Sequence, residues 1–152
     1  MEANEALSEL SQRSRIFPHE AMLWAMDHLE EMTPALLEIL GDAWADPDVL
    51  FDRLTEPELT VDYYALYLLA QARERRAYPL IVDFFSNPDK RVFELMQDLI
   101  FEDLGRILAT VCHGDVGPIK RLVENETLNV YVAKRRARRP AGACSPARER
   151  TA

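Results

Sequence analysis

The sequence predicts an all-α protein built as a HEAT-like stack of antiparallel helix pairs, and three observations carry that expectation. Apolar residues recur at spacings of three and four and rarely at two, which is the helix period rather than the strand period. The run YYALYLLA, residues 63–70, is wholly apolar or aromatic, so as a helix it must be covered on all sides. Pro34, Pro79 and Pro118 are placed to open helices. Their spacings of 45 and 39 residues lie near the period of roughly 40–47 found in two-helix repeats.

Taken in order, residues 1–12 are polar apart from a few positions such as Leu7 and Leu10, which leaves a frayed helix and a disordered arm both open. Ile16-Phe17-Pro18 makes a turn. A helix is expected over residues 18–31, with Met22, Ala25, Met26 and Leu29 as its buried stripe and Trp24 on the flank. Thr33-Pro34 then reads as a helix start, an N-cap hydroxyl followed by proline. Leu36, Leu37, Ile39, Leu40, Ala43 and Trp44 supply that helix's apolar face, and Asp46-Pro47 ends it. A connector over 48–57 has room for a short helix on Val49, Leu50, Phe51 and Leu54. Thr60 caps the apolar central helix, which Arg73-Glu74-Arg75-Arg76 terminates. Pro79 opens its partner, with Leu80, Ile81, Phe84 and Phe85 on one face and Ser86-Asn87-Pro88 as the stop.

Asp89 opens the next unit, carrying Val92, Phe93, Leu95, Met96, Leu99 and Ile100. Glu102-Asp103 suits a helix N-terminus, and Leu104, Ile107, Leu108 and Val111 form the stripe that follows. Gly114 fits a C-terminal cap and Asp115 a new N-cap, after which Ile119, Leu122 and Val123 are expected to face inward. A last helix from about Thr127 carries Leu128, Val130, Tyr131 and Val132.

Charge divides the chain in two. Residues 1–133 hold 11 Lys+Arg against 25 Asp+Glu, a net of −14, whereas residues 134–152 hold seven against one, a net of +6. The expected organisation is therefore a helical-repeat domain over 1–133 and a basic, disordered tail over 134–152. An acidic body repels phosphate backbones, so nucleic acid is not expected to bind except through the tail. Six Arg, five Ala, two Pro and one Gly fill 14 of the 19 tail positions, all residues whose codons can be written with G and C alone. A frame-shifted or truncated end is the expectation, with a basic arm for nucleic acid or an anionic surface as the alternative. Without a cap, the face around Ile119, Leu122, Val130 and Val132 would invite weak self-association.

Other classes are excluded on composition. The uncharged run over 63–72 is ten residues, about half of what a membrane span needs, so no membrane is expected. The acidic N-terminus lacks the basic and apolar regions of a secretory signal. Two distant cysteines, Cys112 and Cys144, make neither a disulfide framework nor a zinc site, and a cytoplasmic setting follows.

Three segments carry a family resemblance: FPHEAMLWAMDHLEEMTPALLEIL (17–40), YYALYLLAQARERRAYPLIVDFFSNP (63–88) and EDLGRILATVCHGDVGPIKRLVENETLNVYV (102–132). Together they resemble the bacterial domain-of-unknown-function family 1186 over roughly residues 16–132. The resemblance implies a cytoplasmic, helical, repeat-like protein and transfers no catalytic residue. Longer members add a zinc motif like that at the C-terminus of the SecA translocase, and nothing near Cys144 matches it. Members also continue past Val132 with an Ala-rich helix, where this chain turns to AKRRARRPAGACSPARERTA.

Candidate chemistry is sparse. Asp98, Glu102 and Asp103, with Glu94 upstream, form the densest carboxylate group, and Asp98 and Glu102 at i, i+4 could share a divalent cation. That makes a metal-dependent hydrolase the enzymatic alternative; the plainer reading gives Glu102 and Asp103 to a helix dipole. His28 and Glu31, with Asp27 nearby, reverse the Glu-x-x-His order of di-iron bundles and have no second copy, so they read as a solvated helix end. Adjacent Cys112 and His113 point apart on a helix, which makes Cys112 a small buried hydrophobe and His113 a ligand for terminal carbonyls. Trp24, Trp44, Tyr63, Tyr64 and Tyr67 are core aromatics first, with hydroxyls and ring N–H groups suited to a rim. Arg73, Arg75 and Arg76 form a positive island beside them. A non-catalytic module that binds a protein or peptide through these residues is the expected function, with no enzyme activity, cofactor or metal.

Overall fold

The computed structural model describes residues 1–12, 14, 16–54, 61–96, 99, 102–126 and 130. Among them the chain forms nine α-helices and no strand: α1 (Ala3–Leu10), α2 (His19–Asp27), α3 (Leu29–Ala45), α4 (Pro47–Leu54), α5 (Val61–Gln71), α6 (Ala77–Phe85), α7 (Lys90–Leu95), α8 (Leu104–Val111) and α9 (Gly117–Val123). The protein is all-α. The expected Thr60 cap, Leu128, Tyr131, Val132 and the 134–152 tail lie outside the described residues. None of the described helices is long and apolar enough to cross a membrane.

Residues 3–10 are helical, not an open arm. The Glu5 carboxylate accepts from the Glu2 backbone N–H at 2.9 Å, and Ala6 and Leu10 are fully buried against the body. That closes the choice the sequence left open, because two buried positions at i, i+4 anchor one face.

The first correction falls on Thr33-Pro34. Both lie inside α3, and the chain breaks earlier, at His28, whose backbone leaves the helical region (φ −122°, ψ 38°). His28 Nδ1 lies 2.8 Å from the Trp24 carbonyl, which also accepts the His28 backbone N–H at 3.1 Å, so the side chain folds back over the helix end. Thr33 Oγ1 donates back to the Leu29 carbonyl at 2.7 Å, so its hydroxyl is spent within the helix and not on a cap. Pro34 therefore costs α3 one hydrogen bond in its second turn and marks no repeat start. Pro79 and Pro118 do sit in the first turns of α6 and α9.

Two inward assignments also fail. Met26 and Val123 are exposed. On α2 the buried positions are Ala21 and Ala25, which turns Met26 outward. On α9 Leu122 is buried while Ile119 packs half-buried against the core, and Val123, one residue on, is rotated about 100° away.

α5 is the sandwiched helix its composition requires. Val61, Asp62, Tyr64, Ala65, Leu66, Leu68 and Leu69 are all buried, and α5 packs against α3, with α6, α8 and α2 covering the remainder. Its C-terminus closes with Glu74 N–H on the Leu69 carbonyl at 2.9 Å and Arg73 N–H on the Ala70 carbonyl at 3.0 Å. This paired closure is the Schellman arrangement, and it places Arg73 at φ +52°, a conformation that usually falls to glycine.

Three hydrogen bonds set the pair α5–α6 against the pair α8–α9. Tyr67 Oη donates to Asp103 Oδ2 at 2.6 Å, His113 Nε2 lies 2.8 Å from the Arg73 carbonyl, and Tyr78 Oη donates to the Asp115 carbonyl at 2.5 Å. The bonded residues are 36, 40 and 37 positions apart in sequence. The second half of α5, at Tyr67, meets the entry to α8, and the turn after α5 meets the turn after α8, so these two helices run parallel. On the other side, Arg91 joins α7 to α4: it pairs with Asp89 and Asp48 and lies 5.7 Å from the centre of the Phe51 ring.

Trp44 fills the core between α3 and α6, stacked on Phe84 at 4.2 Å and edge-on to Phe85 at 6.1 Å. Its Nε1–H is buried and has no hydrogen-bond partner among the described residues. Burying such a donor costs about 1–3 kcal/mol, so Trp44→Phe, which removes it and keeps a ring, is expected to change stability by less than about 1 kcal/mol. Urea denaturation checks this. A loss as large as the ~3–5 kcal/mol of a large aromatic truncation would mean that the indole N–H is paired after all.

Candidate functional site

The groove between α5 and α8 assembles polar groups from distant parts of the sequence. Tyr67, Ala70 and Gln71 of α5 face Asp103, Arg106, Ile107 and Thr110 across a cleft of about 170 Å³. The helical register explains the set, because Tyr67 and Gln71 are i, i+4, while Asp103, Arg106 and Thr110 run i, i+3, i+7 along one face. Ile107 forms the floor, buried between them.

Asp103 is the hub. It stands at the N-cap position of α8 but makes no side-chain capping bond; its carboxylate accepts from Tyr67 Oη instead and lies 3.6 Å from the exposed Arg106 guanidinium. Burial, and then the bond to Asp103, hold the Tyr67 phenol above its ordinary pKa. Tyr67 is therefore a neutral donor at physiological pH. Thr110 donates its hydroxyl to the Ile107 carbonyl at 2.7 Å. The groove can offer a ligand an aromatic edge, an amide and a guanidinium.

At the end of α5 the positive island is smaller than the sequence suggests. Arg76 is held by Glu74 through Nε at 2.9 Å and Nη2 at 3.1 Å. This fork, with the Arg76 backbone N–H, keeps the Glu74 carboxyl below the usual carboxylate range. Arg73 and Arg75 are exposed, and among the described residues neither has an ion-pair partner. His113, also left-handed at φ +48°, secures the Arg73 carbonyl, so the two strained residues brace each other. The sequence assigned His113 to the carbonyls of its own helix end; the carbonyl it serves belongs to the turn after α5.

The expected aromatics do not converge. Trp24 stacks on His28 at 4.0 Å and 8°, beside a shallow depression of about 380 Å³ lined by Met1, Glu2, Ala3, Asn4, Trp24, His28 and Glu31. Tyr64 is buried with Phe17 edge-on at 5.9 Å, Tyr63 is half-buried, and Trp44 is in the core. Of the five, only Tyr67 reaches the groove. Cys112 is a free thiol, buried. Glu102 is exposed and Asp98 lies outside the described residues. Among the described residues no three His, Cys, Asp or Glu side chains gather to hold a metal ion. Arg106, Gln71 and Thr110 had no distinguishing sequence signal beyond their register on helices whose pairing was unknown.

The DUF1186 family model, described as a protein of unknown function, matches residues 1–137. The chain belongs to the DUF1186 family. Its relatives include an uncharacterised protein of Chlamydia muridarum (strain MoPn / Nigg), 39% identical over 133 residues, which are 87% of this chain and 51% of the relative. An uncharacterised protein of Chlamydia trachomatis serovar D (strain ATCC VR-885 / DSM 19411 / UW-3/Cx) matches with the same identity and coverage. This DUF1186 chain thus spans about half the length of the curated relatives it matches. No solved structure matches it. The DUF1186 match includes α1, which the resemblance drawn from residues 16–132 left out, and ends within the basic run at 137.

Proposed function

We propose that the protein is a non-catalytic, HEAT-like helical-repeat module of the cytoplasm that binds a protein or peptide partner through the α5–α8 groove and the Arg73–Arg75 end of α5. The observation that carries this reading is the cleft itself. Parallel helices, bonded at separations of 36 and 40 residues, bring Tyr67, Gln71, Arg106 and Thr110 to one open face. Stacked helix pairs present such extended surfaces to partners. Every hydroxyl in the cleft is committed to an internal acceptor, which favours recognition over catalysis.

The test is affinity capture with the intact chain and with two variants, Arg106→Glu together with Arg73→Glu, and Glu38→Lys as an exposed control on α3. A partner held by the wild type and the control, and weakened about tenfold or more by the groove variant, a loss of about 1.4 kcal/mol, supports the reading. Retention of all partners by the groove variant sinks it. A hydrolase drawing on Asp98, Glu102 and Asp103 would show stoichiometric divalent metal on elemental analysis. Binding to nucleic acid or an anionic surface through the tail would vanish on deleting residues 134–152 and fall steeply with salt.

A further inference from the structure

We propose that the outer face of α2, with the Ile16-Phe17 entry to it, is a second docking surface whose occupant is a basic amphipathic helix of another protein. The fully buried positions of α2 are alanines, Ala21 and Ala25, both 0% exposed, with Met22 and Trp24 packed half-buried against the core, whereas Leu23 and Met26 are 50% and 44% exposed. Small residues inside let α1 and α3 approach closely, and Leu23 and Met26 are left facing water. Ile16 and Phe17, at 79% and 50% exposure, extend the apolar surface at the start of the helix. Single exposed apolar residues are ordinary; Leu23 and Met26, at i, i+3, share one face of α2, and with Ile16 and Phe17 just before the helix they concentrate exposed apolar surface of the kind that marks an interaction site. The Phe17 ring is already braced edge-on against Tyr64, so an occupant would meet a preformed wall.

Charge selects the occupant. Residues 16–52 contain nine Asp and Glu and no Lys or Arg. Glu20 and Asp27, both exposed, stand three before and four after Leu23, on the same helix face. A second copy of this chain would bring an identical acidic face and a body of net charge −14 over residues 1–133, so like charges oppose self-pairing here. The chain's own basic tail has the right sign, but among its 19 residues Ala, Pro, Gly and Arg fill 14, which leaves little to cover Leu23 and Met26. A helix with one apolar stripe and flanking Lys or Arg satisfies both features, as in helix-in-groove recognition, and Met26 can adapt its shape to the stripe. This surface shares no residue with the α5–α8 groove.

Fluorescence anisotropy with a dye-labelled synthetic amphipathic helix of leucine and lysine, titrated with the full chain, tests the proposal. The expected result is saturable binding that weakens with salt and falls about tenfold or more in Leu23→Ser/Met26→Ser. Arg106→Glu/Arg73→Glu should not weaken it. A scrambled peptide of the same composition without an apolar face should bind about tenfold more weakly. Circular dichroism shows whether each variant folds, which exposed positions permit. Equal binding of the scrambled peptide, or undiminished binding to the Leu23→Ser/Met26→Ser variant, overturns the proposal. So does a wild-type dimer in sedimentation that this variant dissolves, because the occupant would then be a second copy. Each of these outcomes leaves the groove reading untouched.

Discussion

Leu69→Ala is expected to cost the fold about 2–5 kcal/mol, through lost transfer energy and the cavity left behind. Leu69 is fully buried in α5, the helix packed against α3 with α6 and α8 on its other sides. Because its surroundings belong to several helices, collapse into the cavity would need coordinated shifts, which places the cost in the upper part of that range. A domain of this size holds about 5–15 kcal/mol in total, and each kcal/mol moves the melting temperature by about 2–4 °C. Leu23→Ala, the same chemical change on an exposed position of α2, is the control and should stay within about 0.5 kcal/mol. Thermal melts of the two variants side by side decide the matter. If Leu69→Ala melts with the control, α5 is not the centre of the core.

What the sequence made legible follows from what periodicity encodes. An apolar run such as residues 63–70 permits only burial on all sides, and the stripes at Leu104, Ile107, Leu108 and Val111 fix an inward face; all of these were readable and are buried in the structure, save Tyr67 and half-buried Tyr63 and Ala70. Local start signals were weaker guides. Thr33-Pro34 has the chemistry of a helix start, but a proline early in a long helix loses only one hydrogen bond, and packing of Met32, Leu36 and Leu40 in the core outweighs that. Met26 was misplaced for a related reason: small alanines bring helices closer than methionines do, so the tight contact took Ala21 and Ala25 inward. The candidate groove depended on a fact no single helix contains, namely that α5 and α8 lie parallel. Tyr67 and Asp103 each stood out separately, and only tertiary pairing makes them one site. Asp62, fully buried at the start of α5, was not singled out in the sequence, because burial of a carboxylate cannot be seen from local pattern.

Raising the pH above about 10, the ordinary phenol value, should destabilise this protein more steeply than its exposed groups alone would. Tyr64, Tyr67 and Tyr78 are all held above that value, in each case first by burial. The unfolded chain releases these protons near pH 10 while the folded chain keeps them, so the unfolded state binds fewer protons and stability falls as pH rises. The contribution is complete below the unfolded value and is lost above it. Each phenol that stays protonated adds up to about 1.4 kcal/mol per pH unit to the slope. Tyr64 and Tyr78, both 6% exposed, contribute in this direction, whereas the contribution of Tyr67, at 41%, is reduced by solvent screening. Urea midpoints followed from pH ~8 to ~11 test the sum, and phenylalanine variants apportion it. Tyr64→Phe should flatten the alkaline fall and leave the neutral plateau nearly in place. Tyr78→Phe should flatten it too, but from a plateau lower by about 0.5–1.5 kcal/mol, because it also removes the bond to the Asp115 carbonyl that ties α6 to the entry of α9. An alkaline slope identical in wild type and both variants would mean that neither ring is buried as the structure has it, and the contact between the two helix pairs would have to be redrawn.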